Sequence, residues 1–135
     1  MDLERFVTAQ QDIYERALGE LKAGDKRSHW MWFVFPQIAG LGLSATAQRY
    51  AIADLAEARA YLAHPVLGPR LAECAQALLG VEGRSAERIL GYPDDLKLRS
   101  SMTLFARAAD DPKVFRAVLD RYYDGEDDPA TLQRL

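Results

Sequence analysis

The chain has 135 residues, of which 49% are hydrophobic and 27% are charged. This composition is typical of a soluble globular protein, and the length predicts a single domain over residues 1–135. The formal net charge of −3 argues against a nucleic-acid-binding protein, because such proteins usually carry a basic excess. The N-terminal residues do not have the pattern of a signal peptide, and no apolar run approaches the roughly 20 residues of a membrane span.

Cysteine and histidine are scarce. Cys74 is the single cysteine, so an intrachain disulfide is excluded, and the two histidines, His29 and His64, are far apart in the sequence. We therefore predict a cytoplasmic protein with no metal ion and no cofactor. Cys74 falls in an apolar helical pattern, which favours a buried structural thiol. His64 precedes a proline, which favours a surface or capping residue.

The first 36 residues predict two helices. Apolar residues at three- and four-residue spacing predict a helix over residues 3–22, ended by Gly24. Residues 26–35 are ambiguous, because Trp, Phe and Val favour a strand, whereas no other segment has the pattern of a partner strand. We interpret them as a short buried helix ended by Pro36, followed by a glycine-containing turn.

In the rest of the chain, seven residues predict the start of a helix. They are Ser44, Asp54, Pro65, Ser85, Pro93, Asp111 and Pro129. Between them the apolar residues repeat at helical spacing. The prediction is an all-α fold of seven to eight helices, several of them short, packed around the aromatic central segment.

The loop that contains Gly40 and Gly42 and ends at Ser44 is a candidate anion site. Glycines ahead of a helix allow backbone N–H groups to converge, and the helix dipole adds positive potential there. The pattern is neither a Walker A loop nor a dinucleotide fingerprint. The alternative is a tight turn with an ordinary serine cap.

The aromatic run that precedes this loop offers candidate ligand contacts. The ring of Trp30 or Trp32 can pack on a planar ligand, and His29 can act as an acid, a base or a hydrogen-bond donor. Gln37 and Tyr50 are predicted to line the same wall. The alternative, which burial statistics favour for the aromatic residues taken alone, is that they form the core.

A second candidate set lies in residues 94–105. Lys97 and Ser101 share one side of the predicted helix with Ser100, so that a cation and two hydroxyls can face one cavity. The alternative is that the hydroxyls bond to carbonyls of the preceding turn while Lys97 is solvated. Whether His29 reaches either serine is left open, and no catalytic triad is predicted.

These segments also carry a resemblance to a known family. The matching motifs include His29-Trp30-Met31-Trp32-Phe33, Phe35-Pro36-Gln37, Gly40-Leu41-Gly42 with Ser44, and Thr103-Leu104-Phe105. Together with further matches along the chain, they resemble the bacterial domain-of-unknown-function 1810 family. The resemblance implies a compact, mainly α-helical cytoplasmic domain. It transfers no catalytic residue, because the family has no established activity.

Two functions from different classes fit the sequence. In the first, the protein binds a small anionic ligand, nucleotide-like or phosphorylated, between residues 28–44 and the helix over 94–105. His29, Lys97 and Ser101 are then the candidate catalytic residues of a hydrolase or transferase, and the ligand-binding candidates are Trp30, Trp32, Gln37, Gly40, Gly42, Ser44 and Tyr50. In the second, the protein is a non-catalytic interaction or regulatory domain, and the aromatic segment is structural core. The sequence does not identify a protein partner.

Overall fold

A computed structural model describes residues 2–135 and shows ten helices in this range. They are α1 Glu4–Gln10, α2 Tyr14–Ala23, α3 Met31–Val34, α4 Ala45–Arg49, α5 Leu55–Ala63, α6 Leu67–Leu79, α7 Ala86–Leu90, α8 Asp94–Ala108, α9 Lys113–Tyr123 and α10 Pro129–Leu132. The all-α class is confirmed, whereas the predicted number of seven to eight helices is too low.

The predicted helix over residues 3–22 is wrong in its continuity, because a turn over residues 11–13 divides it into α1 and α2. The amide of Ile13 bonds the carbonyl of Gln10 at 3.1 Å, which is turn geometry. The buried side chain of Gln10 donates to the carbonyl of Phe33 at 2.7 Å and to the hydroxyl of Tyr61 at 3.1 Å. The end of α1 is therefore fixed by tertiary bonds, and helical periodicity continues across the turn without revealing it.

The predicted helix over residues 26–35 is also wrong in extent, since only Met31–Val34 is helical. The amide of Lys26 donates to the carbonyl of Ile89, and the amides of Arg27 and Ser28 donate to the carboxylate of Glu20. Because these three N–H groups bind partners in other segments, residues 26–30 run as an irregular connection. The apolar character of the run reflects burial rather than helix formation.

Most predicted caps are present in the structure. The side chains of Ser44, Asp54 and Ser85 each accept a bond from the backbone amide three residues ahead. The exception is the start of α6, which lies at Leu67 instead of Pro65. Here Nδ1 of His64 accepts from the amides of the two residues that open the helix, so the capping role predicted for His64 is confirmed.

One non-helical contact fixes the loop after α3. Ile38 and Ile52 form an isolated parallel bridge. The amide of Ile52 donates to the carbonyl of Gln37, and the amide of Ala39 donates to the carbonyl of Ile52, both at 2.8 Å. Both isoleucine side chains are buried. The bridge therefore fixes residues 37–39, which lead into the glycine loop, against the segment that follows α4.

The longest helix, α8, organises the core. It packs against α5, α7, α9 and α10 and buries an apolar face that includes Leu98, Met102 and Phe105. Cys74 is buried and free, as predicted. No helix within the described residues is long and apolar enough to span a membrane.

The contact between α5 and α6 provides a test of the packing. A Cβ at Gly68 would overlap the backbone carbonyl of Leu62, whereas a Cβ at Gly19 in α2 would meet nothing within 4 Å. We expect Gly68→Ala to destabilise the protein by about 1–3 kcal/mol because the two helices must separate. Gly19→Ala, the matched control, should stabilise it by about 0.5–1 kcal/mol through helix propensity.

Urea unfolding at neutral pH measures both changes. A Gly68→Ala variant as stable as Gly19→Ala would show that the two helices do not need this close approach.

Candidate functional site

An open cleft, here called the α8 cleft, lies between the glycine loop, the start of α8 and α10. Its volume is about 250 Å³. The lining residues are Gln37, Leu41, Gly42, Pro93, Leu96, Lys97, Ser100, Asp128 and Ala130. The cleft therefore combines an apolar part with four polar side chains, which is the usual composition of a small-molecule site. It lies between the two segments that the sequence singled out.

The cation of this cleft belongs to a three-residue charge cluster. Oδ2 of Asp94 lies 3.0 Å from Nζ of Lys26, and Oδ1 lies 3.3 Å from Nζ of Lys97. The Lys26 side chain is only 8% exposed, whereas that of Lys97 is 24% exposed. Two ammonium groups share one carboxylate, so the cluster keeps a surplus positive charge. The more accessible of the two cations is the one that lines the cleft.

Both lysines of this cluster also lie over tryptophan rings. Nζ of Lys26 is 5.0 Å from the ring centroid of Trp30, and Nζ of Lys97 is 4.8 Å from that of Trp32. The negative face of each ring attracts the ammonium and fixes its position. The aromatic segment therefore positions the charge at the wall of the cleft.

Ser100 and Asp128 form a second polar part of the cleft. The hydroxyl of Ser100 donates to Oδ2 of Asp128 at 2.8 Å, and the same oxygen accepts the amide and the hydroxyl of Thr131. The amide of Asp128 in turn donates to Oγ1 of Thr103 at 2.9 Å. Two hydroxyls of α8 therefore anchor the residues that open α10. Both also lie within hydrogen-bond distance of carbonyls of the preceding turn, those of Leu96 and Arg99, as the alternative interpretation predicts.

Glu20 binds the residues that lead into the aromatic segment and the first tryptophan of that segment. Its Oε1 accepts from the amides of Arg27 and Ser28 at 2.8 and 3.0 Å and from Nε1 of Trp30 at 2.9 Å, and its Oε2 accepts from the Ser28 hydroxyl. Burial raises the pKa of Glu20, but the bonds from Ser28, Arg27 and Trp30 outweigh it and lower the pKa to about 2. The carboxylate is thus held in its charged form.

The two tryptophans have different environments. Trp30 is fully buried, and its burial favours the core interpretation that the sequence left open. Trp32 is half-buried and lines a smaller cavity of about 10 Å³ together with Gln37, Gly40, Gly42 and Tyr50. This volume is close to that of one water molecule and is too small for a metabolite.

The side chain of Arg134 contacts the glycine loop at Gly40. A Cβ at Gly40 would overlap the guanidinium of Arg134, and φ at Gly40 is +97°, in the left-handed region. Ser44 is exposed and caps α4, a helix of five residues. The serine-cap interpretation therefore describes the local structure, and a role for this loop in anion binding stays a prediction.

The remaining candidates lie apart from the α8 cleft. His29 is exposed and does not line the cleft. Ser101 is fully buried, and its Oγ has no hydrogen-bond partner within the described part of the chain.

Three of the predicted site residues, Gln37, Gly42 and Lys97, are brought together at the cleft. The catalytic roles of His29, Lys97 and Ser101 remain predictions.

Sequence reasoning missed Asp128 and underrated Ser100 as a cleft residue. Asp128 is 28 residues from Ser100 in the sequence, and its position before Pro129 gives a cap signal but no indication of a site. Ser100 and Ser101 are neighbours, and a shift of one residue turns a helical side chain by about 100°. The rotation of α8 about its own axis, which its packing on neighbouring helices sets, decides whether Ser100 or Ser101 reaches the cleft.

The fold and the cleft define an all-α protein with a small open cleft of mixed charge. The chain belongs to the family described as protein of unknown function (DUF1810), whose model matches residues 1–135. The chain is similar to the conserved hypothetical protein Rv1873 from Mycobacterium tuberculosis, known from a crystal structure, with 57% identity and a TM-score of 0.98. The match covers 99% of this chain and 96% of that one. A comparison with curated proteins gave no match.

The hydrogen bonds that the Glu20 carboxylate accepts, here called the Glu20 clamp, predict that the stability of the protein depends on pH. Because the pKa of Glu20 falls to about 2 on folding from an ordinary 4.5, its contribution is complete above pH 4.5 and is lost as the pH falls toward 2. We expect Glu20→Gln to lower the free energy of unfolding at pH 6 by about 1.5–3 kcal/mol, the range for hydrogen bonds to a charged group. The deficit should shrink as the pH falls below 4.5.

Denaturant titrations at pH 6 and pH 3 measure this difference. Glu82→Gln is the control, because Glu82 is exposed and makes no hydrogen bond or ion pair with residues 2–135. A Glu20→Gln deficit that is the same at both pH values would contradict a clamp by the charged carboxylate.

Proposed function

We propose that the α8 cleft binds a small phosphorylated metabolite, and that Lys97 contacts its anionic group. The single observation that carries this proposal is the Lys26–Asp94–Lys97 cluster. One carboxylate divides its two oxygens between two ammonium groups. The unneutralised charge lies at the wall of a cleft of about 250 Å³.

The arrangement of Lys97 supports binding from solvent. Its ammonium is held over Trp32 and beside Asp94, so it loses little conformational entropy when an anion arrives. Gln37 lines the same cleft, and its uncharged side-chain amide can donate hydrogen bonds. A phosphate with several acceptor oxygens matches this combination of a cation and an amide.

The apolar part of the cleft supports a metabolite rather than a bare inorganic ion. Leu41, Pro93, Leu96 and Ala130 line it, and the side chain of Leu96 is 50% exposed. Apolar surface of this kind gains free energy when a carbon skeleton covers it. Hydrolysis or transfer at the bound ligand, with the candidate residues predicted from the sequence, is a further step that requires binding first.

The alternative, a protein-interaction domain, is favoured by one observation. Leu43 and Tyr92 are 83% and 73% exposed, and Leu96 at the cleft is half-exposed. Exposed apolar side chains of this size are typical of contact surfaces when they are contiguous. This alternative predicts that no phosphorylated small molecule stabilises the protein in a Lys97-dependent manner.

The test is a thermal-shift screen with phosphate monoesters and nucleoside phosphates. A ligand at 100 times its dissociation constant stabilises the folded state by about 2.7 kcal/mol. We expect the stabilisation to be lost in Lys97→Gln, because the amide keeps most of the side-chain length but lacks the charge. Lys22→Gln, at an exposed position near the end of α2, is the matched control.

Tryptophan fluorescence gives a second readout of the same experiment. An anionic group that binds the Lys97 ammonium where it lies over the Trp32 ring should change the emission of Trp32 and leave that of buried Trp30 unaltered. The change should therefore disappear in Trp32→Phe. Stabilisation that persists in Lys97→Gln would contradict the proposed site.

A further inference from the structure

The α8 cleft contains a carboxylate as well as a cation. Asp128 lines the same cleft as Lys97, between Ser100 and Ala130. A ligand that presented only anionic groups would be repelled at this position, since like charges at short range raise the free energy of the complex. The ligand therefore has to present hydrogen-bond donors to Asp128 while its anion lies at Lys97.

The bonding of Asp128 leaves one oxygen available. Its Oδ2 already accepts from the Ser100 hydroxyl and from the amide and hydroxyl of Thr131. Its Oδ1 accepts no hydrogen bond from residues 2–135 and is accessible to solvent. The fixed Oδ2 orients the carboxylate, so Oδ1 is a positioned acceptor rather than a freely rotating surface group.

Two further side chains of the cleft can form hydrogen bonds with a ligand beside Oδ1 of Asp128. Ser100 donates its proton to Asp128, which leaves its oxygen lone pairs available to accept a bond from a ligand. Gln37 lines the cleft as well, and its amide can both donate and accept. Adjacent hydroxyl groups on a carbon chain, each a donor and an acceptor, complement this set.

We propose that the ligand of the α8 cleft is a phosphorylated sugar or polyol, with its phosphate at Lys97 and its hydroxyls hydrogen-bonded to Oδ1 of Asp128. The inference rests on the proposed function, which it narrows from any phosphorylated metabolite to one with hydroxyls beside the phosphate. The apolar wall at Pro93 and Leu96 then covers the carbon face of the sugar.

The experiment compares two three-carbon probes, glycerol 3-phosphate and n-propyl phosphate, by calorimetric titration of the full chain. The probes carry the same phosphate and differ by two hydroxyls. We expect glycerol 3-phosphate to bind about tenfold more tightly, since a site with polar groups in place discriminates against a ligand that lacks their partners. Ribose 5-phosphate should bind at least as tightly as glycerol 3-phosphate.

Asp128→Asn tests the residue itself. Asparagine is an effective helix cap, so α10 keeps its N-terminal bond, while the acceptor loses its charge. We expect the tenfold preference for the hydroxylated probe to disappear in this variant. Asp124→Asn is the control, because Asp124 is exposed and its φ of 54° is a conformation that asparagine tolerates.

The outcomes separate this inference from the proposed function. If both probes bind equally and depend on Lys97, the sugar assignment is wrong and the phosphate site stands. If the preference for hydroxyls survives in Asp128→Asn, the role given to Asp128 is wrong. If neither the probes nor ribose 5-phosphate binds in a Lys97-dependent manner, both proposals fail.

Discussion

The burial of Trp30 is the constraint on which the rest of the site depends. An indole N–H that is taken out of water needs an acceptor, and Glu20 of α2 supplies one at 2.9 Å. The same carboxylate accepts hydrogen bonds from the amides of Arg27 and Ser28. One side chain therefore compensates for the desolvation of the indole N–H and also fixes the backbone ahead of Trp30. With Trp30 held inward, α3 begins at the next residue and Trp32 is left half-buried near α8.

The charge of the cleft follows from this anchoring. Lys26 lies on the segment that Glu20 holds, and Lys97 lies on α8, so Asp94 joins two elements that are distant in sequence. Each ammonium also faces a tryptophan ring. A cation placed in this way costs less to desolvate, because the ring and the carboxylate replace part of its hydration. The same aromatic side chains therefore pack the core and position the charges of the cleft.

Local patterns predict local features well in this chain, and tertiary bonds explain the failures. The caps at Ser44, Asp54 and Ser85 depend on contacts within one turn, which sequence shows directly. The irregular run ahead of α3 depends on Glu20 and on the carbonyl of Ile89, and no local rule reveals such partners. The sequence indicated the two segments that flank the cleft, because clustering of polar residues at apolar edges is local information. It did not indicate Asp128, whose place there results from the docking of α10.

That docking connects the cleft with the C-terminal residues. Ser100 and Thr103, on adjacent turns of α8, hold Asp128 through its side chain and its amide, and Arg134 beyond α10 contacts Gly40. The third wall of the cleft is therefore a helix of four residues, too short to be stable alone. Its stability comes from the bonds to α8, and a ligand that bonds to Asp128 adds another. The proposed binding at Asp128 therefore implies that a ligand and the attachment of α10 to α8 stabilise each other, because both use the same carboxylate.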